Sequence, residues 1–319
     1  MTAFKLTEVK ADIFQIPQSY SLAFSSSADF YAEKGKLAWK VGVIFGQYDE
    51  LSRQYITSGN VAVLEDHNRF IYLLVTKENM YYKSTYGDVE SALICLRHHM
   101  QNHGVHKVAM PRICCGSDGL EWPQIKKMIS RIFAHEYNTE IMICNYRPEK
   151  IATPRCRFTE QRGSNVSAPD NCAVVHTISA DFAMCPGLGV QFNCKSSRST
   201  EQLRQDKHTG NVAVLKDQNR YVYNLVTKER NHERGTYVAL FYALIATRDH
   251  MRKNAVTKLA IPRLGCGIDR LDWLRVRDIL EIVFSEDAVE IRTYAHEPLV
   301  SMASRESLHM HCMSCKRAF

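Results

Sequence analysis

Apolar residues recur with two periods along this chain, and the switches between them mark its elements. Short β-rich runs at Phe4–Val9, Val61–Leu64, Phe70–Val75, Lys107–Ile113 and Glu140–Asn145 read as strands. Glu65-Asp-His-Asn-Arg69 joins the second run to the third, which predicts a hairpin. Tyr86–Asn102 carries Val89, Ala92, Leu93 and Leu96 at helical spacing and stops at His103-Gly104, so it reads as a helix. Trp122–Phe133 reads as a second helix. Strands alternating with helices predict an α/β fold, a mainly parallel sheet with helices on both faces.

The pattern occurs twice. Gly59-Asn-Val-Ala-Val-Leu64 returns as Gly210-Asn-Val-Ala-Val-Leu215, and Val75-Thr-Lys-Glu78 as Val226-Thr-Lys-Glu229. Pro111-Arg112 and Asp118 return as Pro262-Arg263 and Asp269, always 151 positions on. Fifteen of the 20 positions from Gly59 to Glu78 match their counterparts, which is duplication rather than shared composition. The expected organisation is one domain over 1–148, a linker at 149–156, a second domain over 157–297 and a polar tail at 298–319. The stretch Arg147–Arg157, charged and with two prolines, suits a linker.

Composition narrows the class. With 319 residues, 45% of them hydrophobic, the chain can bury two cores, which excludes wholesale disorder. Its longest clean apolar run is about Phe70–Val75, far below the roughly 20 residues that span a bilayer. Charges at Lys5, Glu8, Lys10 and Asp12 argue against a signal peptide, so a soluble, non-secreted protein is expected. Eleven scattered cysteines suggest reduced thiols rather than a disulfide framework. A net charge of +7 permits a phosphate-bearing partner, but no dense basic stripe points to specific nucleic-acid binding.

In parallel sheets, ligands bind beyond the carboxyl ends of the strands. Asp12, Lys77 and Asp118 each follow a predicted strand, and Lys228 and Asp269 take the matching places in the second copy, where Gly163-Ser164 replaces Ala11-Asp12. The loops Cys114-Cys-Gly-Ser-Asp118 and Gly265-Cys-Gly-Ile-Asp269 are small-residue rich and precede a helix, an arrangement that lets backbone N–H groups approach a phosphate. A second glycine loop, Met184-Cys-Pro-Gly-Leu-Gly189, has only Glu33-Lys-Gly-Lys-Leu-Ala38 as its counterpart. A strand-end lysine is most often simply solvated, an aspartate before a helix is more often an N-cap, and Asp12 could close a turn. Retention of Lys and Asp in both copies while neighbouring positions drift favours a functional pair.

Each copy resembles a macrodomain of the terminal ADP-ribose protein glycohydrolase type. The resemblance rests on an ordered set of motifs: Lys10-Ala-Asp-Ile-Phe14, the Gly-Asn-Val-Ala-Val-Leu run, Tyr-x-Leu-Val-Thr-Lys, and Thr-Tyr at 85–86 and 236–237. Pro-Arg-Ile/Leu-x-Cys-Gly-x-Asp-x-Leu and the tryptophans Trp122 and Trp273 complete it. It implies two tandem three-layer α/β/α sandwiches that bind ADP-ribose at the strand ends. It also implies release of ADP-ribose from modified glutamate or aspartate side chains, with deacylation of O-acyl-ADP-ribose as a related activity. Lys77 and Lys228 would then be nucleophiles at the anomeric carbon of the distal ribose, and Asp118 and Asp269 the acid/base groups. Asp12 would meet the adenine amino group, with Ser164 in its place in the second copy. Ile13, Gly35, Cys115, Gly116 and Ser117 would complete the first ADP-ribose site. Gly187, Leu188, Gly189, Gly265, Cys266, Gly267 and Ile268 would complete the second.

Lysine attacks only as the neutral amine, and a neighbouring aspartate, which opposes deprotonation, can still relay the proton, so the two must act as a coupled pair. No metal or cofactor is implied, since backbone amides can meet the diphosphate. The copies depart from the family in opposite ways. The first keeps Asp12 but has Lys34 and Lys36 in a glycine-poor loop; the second keeps the glycine loop but has Ser164. The second copy is therefore the expected catalyst, and the first a catalyst or a reader. The competing class is a tandem reader of mono-ADP-ribosylated proteins or poly-ADP-ribose ends, with avidity from two linked sites. Nucleic-acid binding through the basic linker is a third. The tail's His309-Met-His-Cys312 and Cys315 have metal-ligand types, but four ligands within seven residues would be strained, so a thiol-bearing tail is expected. The family suggests nucleus or cytoplasm and no membrane partner.

Overall fold

The computed structural model describes residues 3–46, 51, 53–146, 155–181, 207–217 and 220–295. The chain divides into two compact units, Met1–Lys150 and Ile151–Phe319. In the first, β1 (Lys5–Val9), β2 (Ser21–Ser26), β3 (Asn60–Asp66), β4 (Arg69–Val75), β5 (Lys107–Pro111) and β6 (Glu140–Cys144) form one sheet. Its order is β1-β6-β5-β2-β4-β3. Every pairing is parallel except β3 with β4.

The hairpin is tighter than its sequence suggests. Asp66 pairs with Arg69 in the ladder, leaving His67 and Asn68 to turn, with His67 at φ +55°. The Arg69 guanidinium meets the Asp66 carboxylate at 2.8 Å, with both side chains buried. The hydrophobic pattern leaves β2 and the helix α1 (Leu37–Phe45) unmarked. The reason for β2 is its position: between β5 and β4 it is covered on both faces, and Ser21 through Phe24 are all buried. A strand covered on both sides lacks the alternation that marks a half-exposed one, and the serines of Ser21–Ser26 also break the continuous apolar run by which β4 is read.

Alternation along the strands divides the core. Ala23, Tyr72, Leu74, Val108, Met110, Ile141 and Ile143 face α2 (Tyr86–Asn102) and α3 (Trp122–Ile132), meeting Val89, Leu93 and Leu96 of one and Ile125 and Ile129 of the other. On the opposite face Phe24 stacks on Phe14 at 5.9 Å, and Phe14 meets Phe45 of α1 at 6.5 Å. The first unit is therefore a three-layer α/β/α sandwich.

The second unit repeats the sheet. Its strands are β7 (Arg157–Arg162), β8 (Ala173–Ser179), β9 (Val212–Asp217), β10 (Arg220–Lys228), β11 (Lys258–Pro262) and β12 (Glu290–Ala295). They run in the order β7-β12-β11-β8-β10-β9, with β9 antiparallel. The helices α4 (Tyr237–Lys253) and α5 (Trp273–Phe284) correspond to α2 and α3.

The Thr-Tyr motif has a clear role in both units. Thr85 Oγ1 caps α2 by accepting from Asp88 N, and Tyr86 OH accepts from Glu121 N at the head of α3. Thr236 and Tyr237 do the same for Ala239 N and Asp272 N. The motif thus fixes where two helices begin, one of them directly after the glycine-bearing loop. Among the described residues no helix is long and apolar enough to cross a membrane.

Candidate functional site

Because β1, β6, β5, β2 and β4 run parallel, their carboxyl ends share one edge of the sheet. Asp12, Lys77 and Asp118 all leave from that edge. Pairing of β2 with β4 continues beyond the strands: Thr76 N donates to Ser26 O at 3.0 Å and Ala28 N to Lys77 O at 2.9 Å. This holds the Lys77 backbone while its side chain reaches across to the loop after β5. There Lys77 Nζ donates to Asp118 Oδ1 at 2.8 Å, with side chains 13% and 8% exposed. In the second unit Ala180 N donates to Lys228 O at 2.9 Å, and Lys228 Nζ to Asp269 Oδ1 at 2.9 Å, with exposures of 6% and 7%. Handing one proton across either bond leaves an amine lone pair beside a neutral carboxyl, which is the state able to attack an electrophilic carbon.

The loops carrying the aspartates close identically. Leu120 N donates to Cys114 O, and Leu271 N to Gly265 O, both at 3.0 Å. The residue at this turn is left-handed in each unit, Cys114 at φ +54° and Gly265 at φ +68°. A Cβ on Gly265 would lie 2.5 Å from Leu271 Cδ1, whereas Cβ atoms on Gly116 or Gly267 would meet nothing within 4 Å. Open space beside Gly116 and Gly267 is where a bound group could come close to the backbone. Cys115 Sγ donates to Ile113 O and Cys266 Sγ to Leu264 O. Burial raises both thiols, Cys266 to about 11. Both therefore stay protonated and inert at neutral pH. Ser117 contributes its carbonyl, which accepts from Lys83 Nζ, and Ile268 is exposed.

Around the strand-end threonine the units differ. In the first, Thr76 Oγ1 bonds Ser84 Oγ at 2.8 Å and accepts from Cys114 Sγ at 3.4 Å. In the second, Gly235 and Gly265 stand in for Ser84 and Cys114. A Cβ on Gly235 would lie 3.0 Å from both Thr227 Oγ1 and Asp269 Oδ2. Gly235 N instead donates to Asp269 Oδ1 at 3.0 Å, so Asp269 is held by two donors on one oxygen where Asp118 has Lys77.

Asp12 does close a turn: its Oδ1 accepts from Phe14 N at 3.0 Å, capping the 3-10 turn Ile13–Gln15 and burying Ile13 and Phe14. In the second unit Ser164 O accepts from Ser167 Oγ at 2.8 Å. The buried residue beside it is Asn165, whose Nδ2 donates to Val175 O and Ala260 O, joining β8 to β11. Gly35 lies in the turn before α1 at φ +87°, a conformation that favours glycine. Gly187, Leu188 and Gly189 lie outside the described residues, as does the His309–Cys315 tail. Among the described residues no cluster of three or more His, Cys, Asp or Glu could hold a metal ion.

Sequence reasoning missed the segment after β2. Ser27 Oγ donates to Asp29 Oδ1 at 2.5 Å, and Asp29 also accepts from Tyr31 N and Met80 N. Ser179 Oγ donates to Asp181 Oδ1, and Asp181 Oδ2 accepts from Asn231 N at 3.0 Å. The aspartate ties the loop after β2 to the loop after the lysine in each unit. The signal was present: Ser27-Ala-Asp-Phe30 recurs as Ser179-Ala-Asp-Phe182.

No protein-family model matches the chain. It is 42% identical over 138 residues to ADP-ribose glycohydrolase OARD1 of Bos taurus, covering 43% of this chain and 91% of that protein. The Homo sapiens protein of the same name is 41% identical over the same length and shares. Among solved structures, the macrodomain of Thermus aquaticus DarG is 23% identical with a TM-score of 0.41, covering 45% of this chain and 99% of that one. With more than two-fifths identity across nine-tenths of a curated relative, and two six-stranded units built alike, the chain belongs to the macrodomain family, alongside the OARD1 glycohydrolases.

Proposed function

We propose that this protein is an ADP-ribose-binding hydrolase that releases ADP-ribose from modified glutamate and aspartate side chains. The single observation that carries the reading is the lysine–aspartate pair, bonded at 2.8 Å in one unit and 2.9 Å in the other, at the carboxyl edge of each sheet. A protein that only held ADP-ribose would have no need of an amine and a carboxylate in contact there. The relatives named ADP-ribose glycohydrolase supply the substrate class.

The steps balance with these two groups and water. Asp118 or Asp269 takes a proton from the lysine and passes it to the departing carboxyl. The freed Nζ lone pair forms a bond to the anomeric carbon of the distal ribose as that carbon's bond to the ester oxygen breaks. Water then adds its oxygen to the same carbon, its proton passes to the aspartate, and the C–N electron pair returns to Nζ. The aspartate hands that proton back and the ion pair is restored. O-acyl-ADP-ribose, an ester on a hydroxyl of the same ribose, is a related substrate: the freed amine takes a proton from water as the water oxygen adds to the acyl carbon, and that proton goes to the ribose oxygen as its bond to the acyl carbon breaks. Two linked sites also give the full chain avidity for proteins bearing several ADP-ribosyl groups or for poly-ADP-ribose ends.

The test is release of ADP-ribose from a glutamate-ADP-ribosylated protein by the wild type, Lys77→Ala, Lys228→Ala and the double variant. Loss of release in one single variant assigns catalysis to that unit. Binding without any release by the wild type would leave a tandem reader in place of the hydrolase.

A further inference from the structure

The loop that follows the nucleophile is built on one scaffold in both units but carries two different surfaces. In the first unit it runs Lys77-Glu-Asn-Met-Tyr-Tyr-Lys-Ser-Thr85. It is pinned at four places: Lys77 to Asp118, Met80 N to Asp29 Oδ2, Lys83 Nζ to Ser117 O, and Ser84 Oγ to Thr76 Oγ1. Between the pins, Tyr81 and Tyr82 stand 80% and 64% exposed. The same Asp29 carboxylate accepts from Tyr31 N, and Tyr31 is 57% exposed. Asp29 therefore joins the Tyr31 segment to the loop that carries Tyr81 and Tyr82, and Lys83 ties that loop to Ser117 beside the Lys77–Asp118 pair. In the second unit Asp181 holds Asn231 N in the same manner, yet the exposed positions are His232, Glu233 and Arg234.

Large aromatic side chains left in water on a loop that is rigidly pinned are the informative exception to ordinary surface composition. Tyrosine combines a broad apolar face, a polar tip and few rotors, and for those reasons it is enriched where proteins contact other proteins. What it contacts here follows from position, and this step rests on the hydrolase reading above. If Lys77 attacks the anomeric carbon, the group leaving that carbon lies over the loops flanking Lys77, and that group is the acceptor side chain with its polypeptide. We propose that the Tyr31/Tyr81/Tyr82 rim, with Lys83, is the surface on which the first unit docks the acceptor polypeptide of an ADP-ribosylated protein. The occupant is an extended chain rich in acidic side chains. Its backbone lies on the tyrosine faces, and its carboxylates are matched by Lys83 and by the exposed Lys34 and Lys36 in the turn before α1. The second unit, without tyrosines on this loop, reads the ADP-ribosyl group with little regard for what carries it.

The experiment uses the full chain with Lys228→Ala, which confines turnover to the first unit, and adds Tyr81→Ala/Tyr82→Ala or Tyr81→Phe/Tyr82→Phe. Two substrates are compared: a glutamate-ADP-ribosylated protein and O-acetyl-ADP-ribose, which has no polypeptide. The alanine pair is expected to raise KM for the protein roughly tenfold, with kcat and all constants for O-acetyl-ADP-ribose unchanged, and the phenylalanine pair to retain most of the protein affinity. Equal losses on both substrates, or no change on either, overturn the proposal. So does competition for the rim by single-stranded RNA that the alanine pair abolishes, since stacked bases would then be the occupant. If the parent chain turns over neither substrate, the hydrolase reading fails separately, and retention of the ADP-ribosylated protein is read instead. A tenfold loss of retention with unchanged affinity for free ADP-ribose then supports the rim, and any other pattern overturns it.

Discussion

The two units set one lysine–aspartate pair in two different surroundings. In the first, Thr76 sits between Ser84 and Cys114, and a chain of buried hydroxyl and thiol groups underlies Lys77. In the second, both flanking side chains are reduced to glycine, and a backbone amide takes up Asp269. A fixed N–H on the acid steadies it in one orientation without a side chain to order. The same replacement at the two flanks of one threonine indicates a substitution of one packing solution for another. The lesson is that duplication conserved the lysine–aspartate bond while its support diverged.

The sharpest way to break this comparison is to remove the paired lysines one at a time. Lys228→Ala and Lys77→Ala are each expected to reduce release by their own unit at least about a hundredfold, measured on a glutamate-ADP-ribosylated protein. Equal residual rates in the two single variants would mean that the differing surroundings do not matter for turnover.

The left-handed turn offers the next test. Gly265→Ala places a methyl group 2.5 Å from Leu271 Cδ1 at φ +68°, and is expected to destabilise the second unit by about 2–3 kcal/mol in urea unfolding. Gly116→Ala, with open space around its Cβ, should change stability by less than about 1 kcal/mol.

Acid separates the units further. Register aligns His176 of β8 with Asn224 of β10, at the positions that Phe24 and Leu73 occupy in the first sheet. Burial pushes His176 down to about 4 from 6.5. The unfolded chain therefore binds the proton first, and the second unit loses stability as pH falls from about 6.5 to about 4. At pH 5 this amounts to about 2 kcal/mol, and His176→Phe should remove that much of the difference between melting at pH 7 and pH 5.

The smallest effect belongs to the first unit. Glu8 accepts from Lys126, Arg112, Asn145 and Trp122, which together hold its carboxyl at about 2. Its contribution is present above about pH 4.5 and lost as pH falls toward 2. Glu8→Gln should lower stability at pH 7 by about 1 kcal/mol after solvent screening and flatten the profile below pH 4.5, with most of the effect gone by pH 2.

How legible all this was depends on the residue. Helix α2 was readable to its ends, because Thr85 caps it and His103-Gly104 stops it. The hairpin strands were readable but not their turn, since the pairing of Asp66 with Arg69 is a cross-strand event. Strand β2 was invisible, because burial on both faces erases alternation and its serines break the apolar run that betrays β4. Lys77, Asp118, Lys228 and Asp269 stood out through repetition. Asp29 and Asp181 repeated just as faithfully, but in a segment with no recognised strand to place it. For Asp12 the sequence left a turn as one of two roles, and the structure has it capping Phe14 N.

By itself, then, the sequence determined that one α/β unit occurs twice, since a constant spacing of 151 residues needs no coordinates. It also determined which reactive side chains recur, because identity at matched positions is a one-dimensional property. Only the tertiary structure decided that those side chains touch. Lys77 and Asp118 lie 41 residues apart, and parallel pairing of separated strands is what brings their loops to one edge. Only the structure, too, separated the two surroundings, because Ser84, Thr76 and Cys114 become neighbours through pairing and loop closure rather than through spacing along the chain.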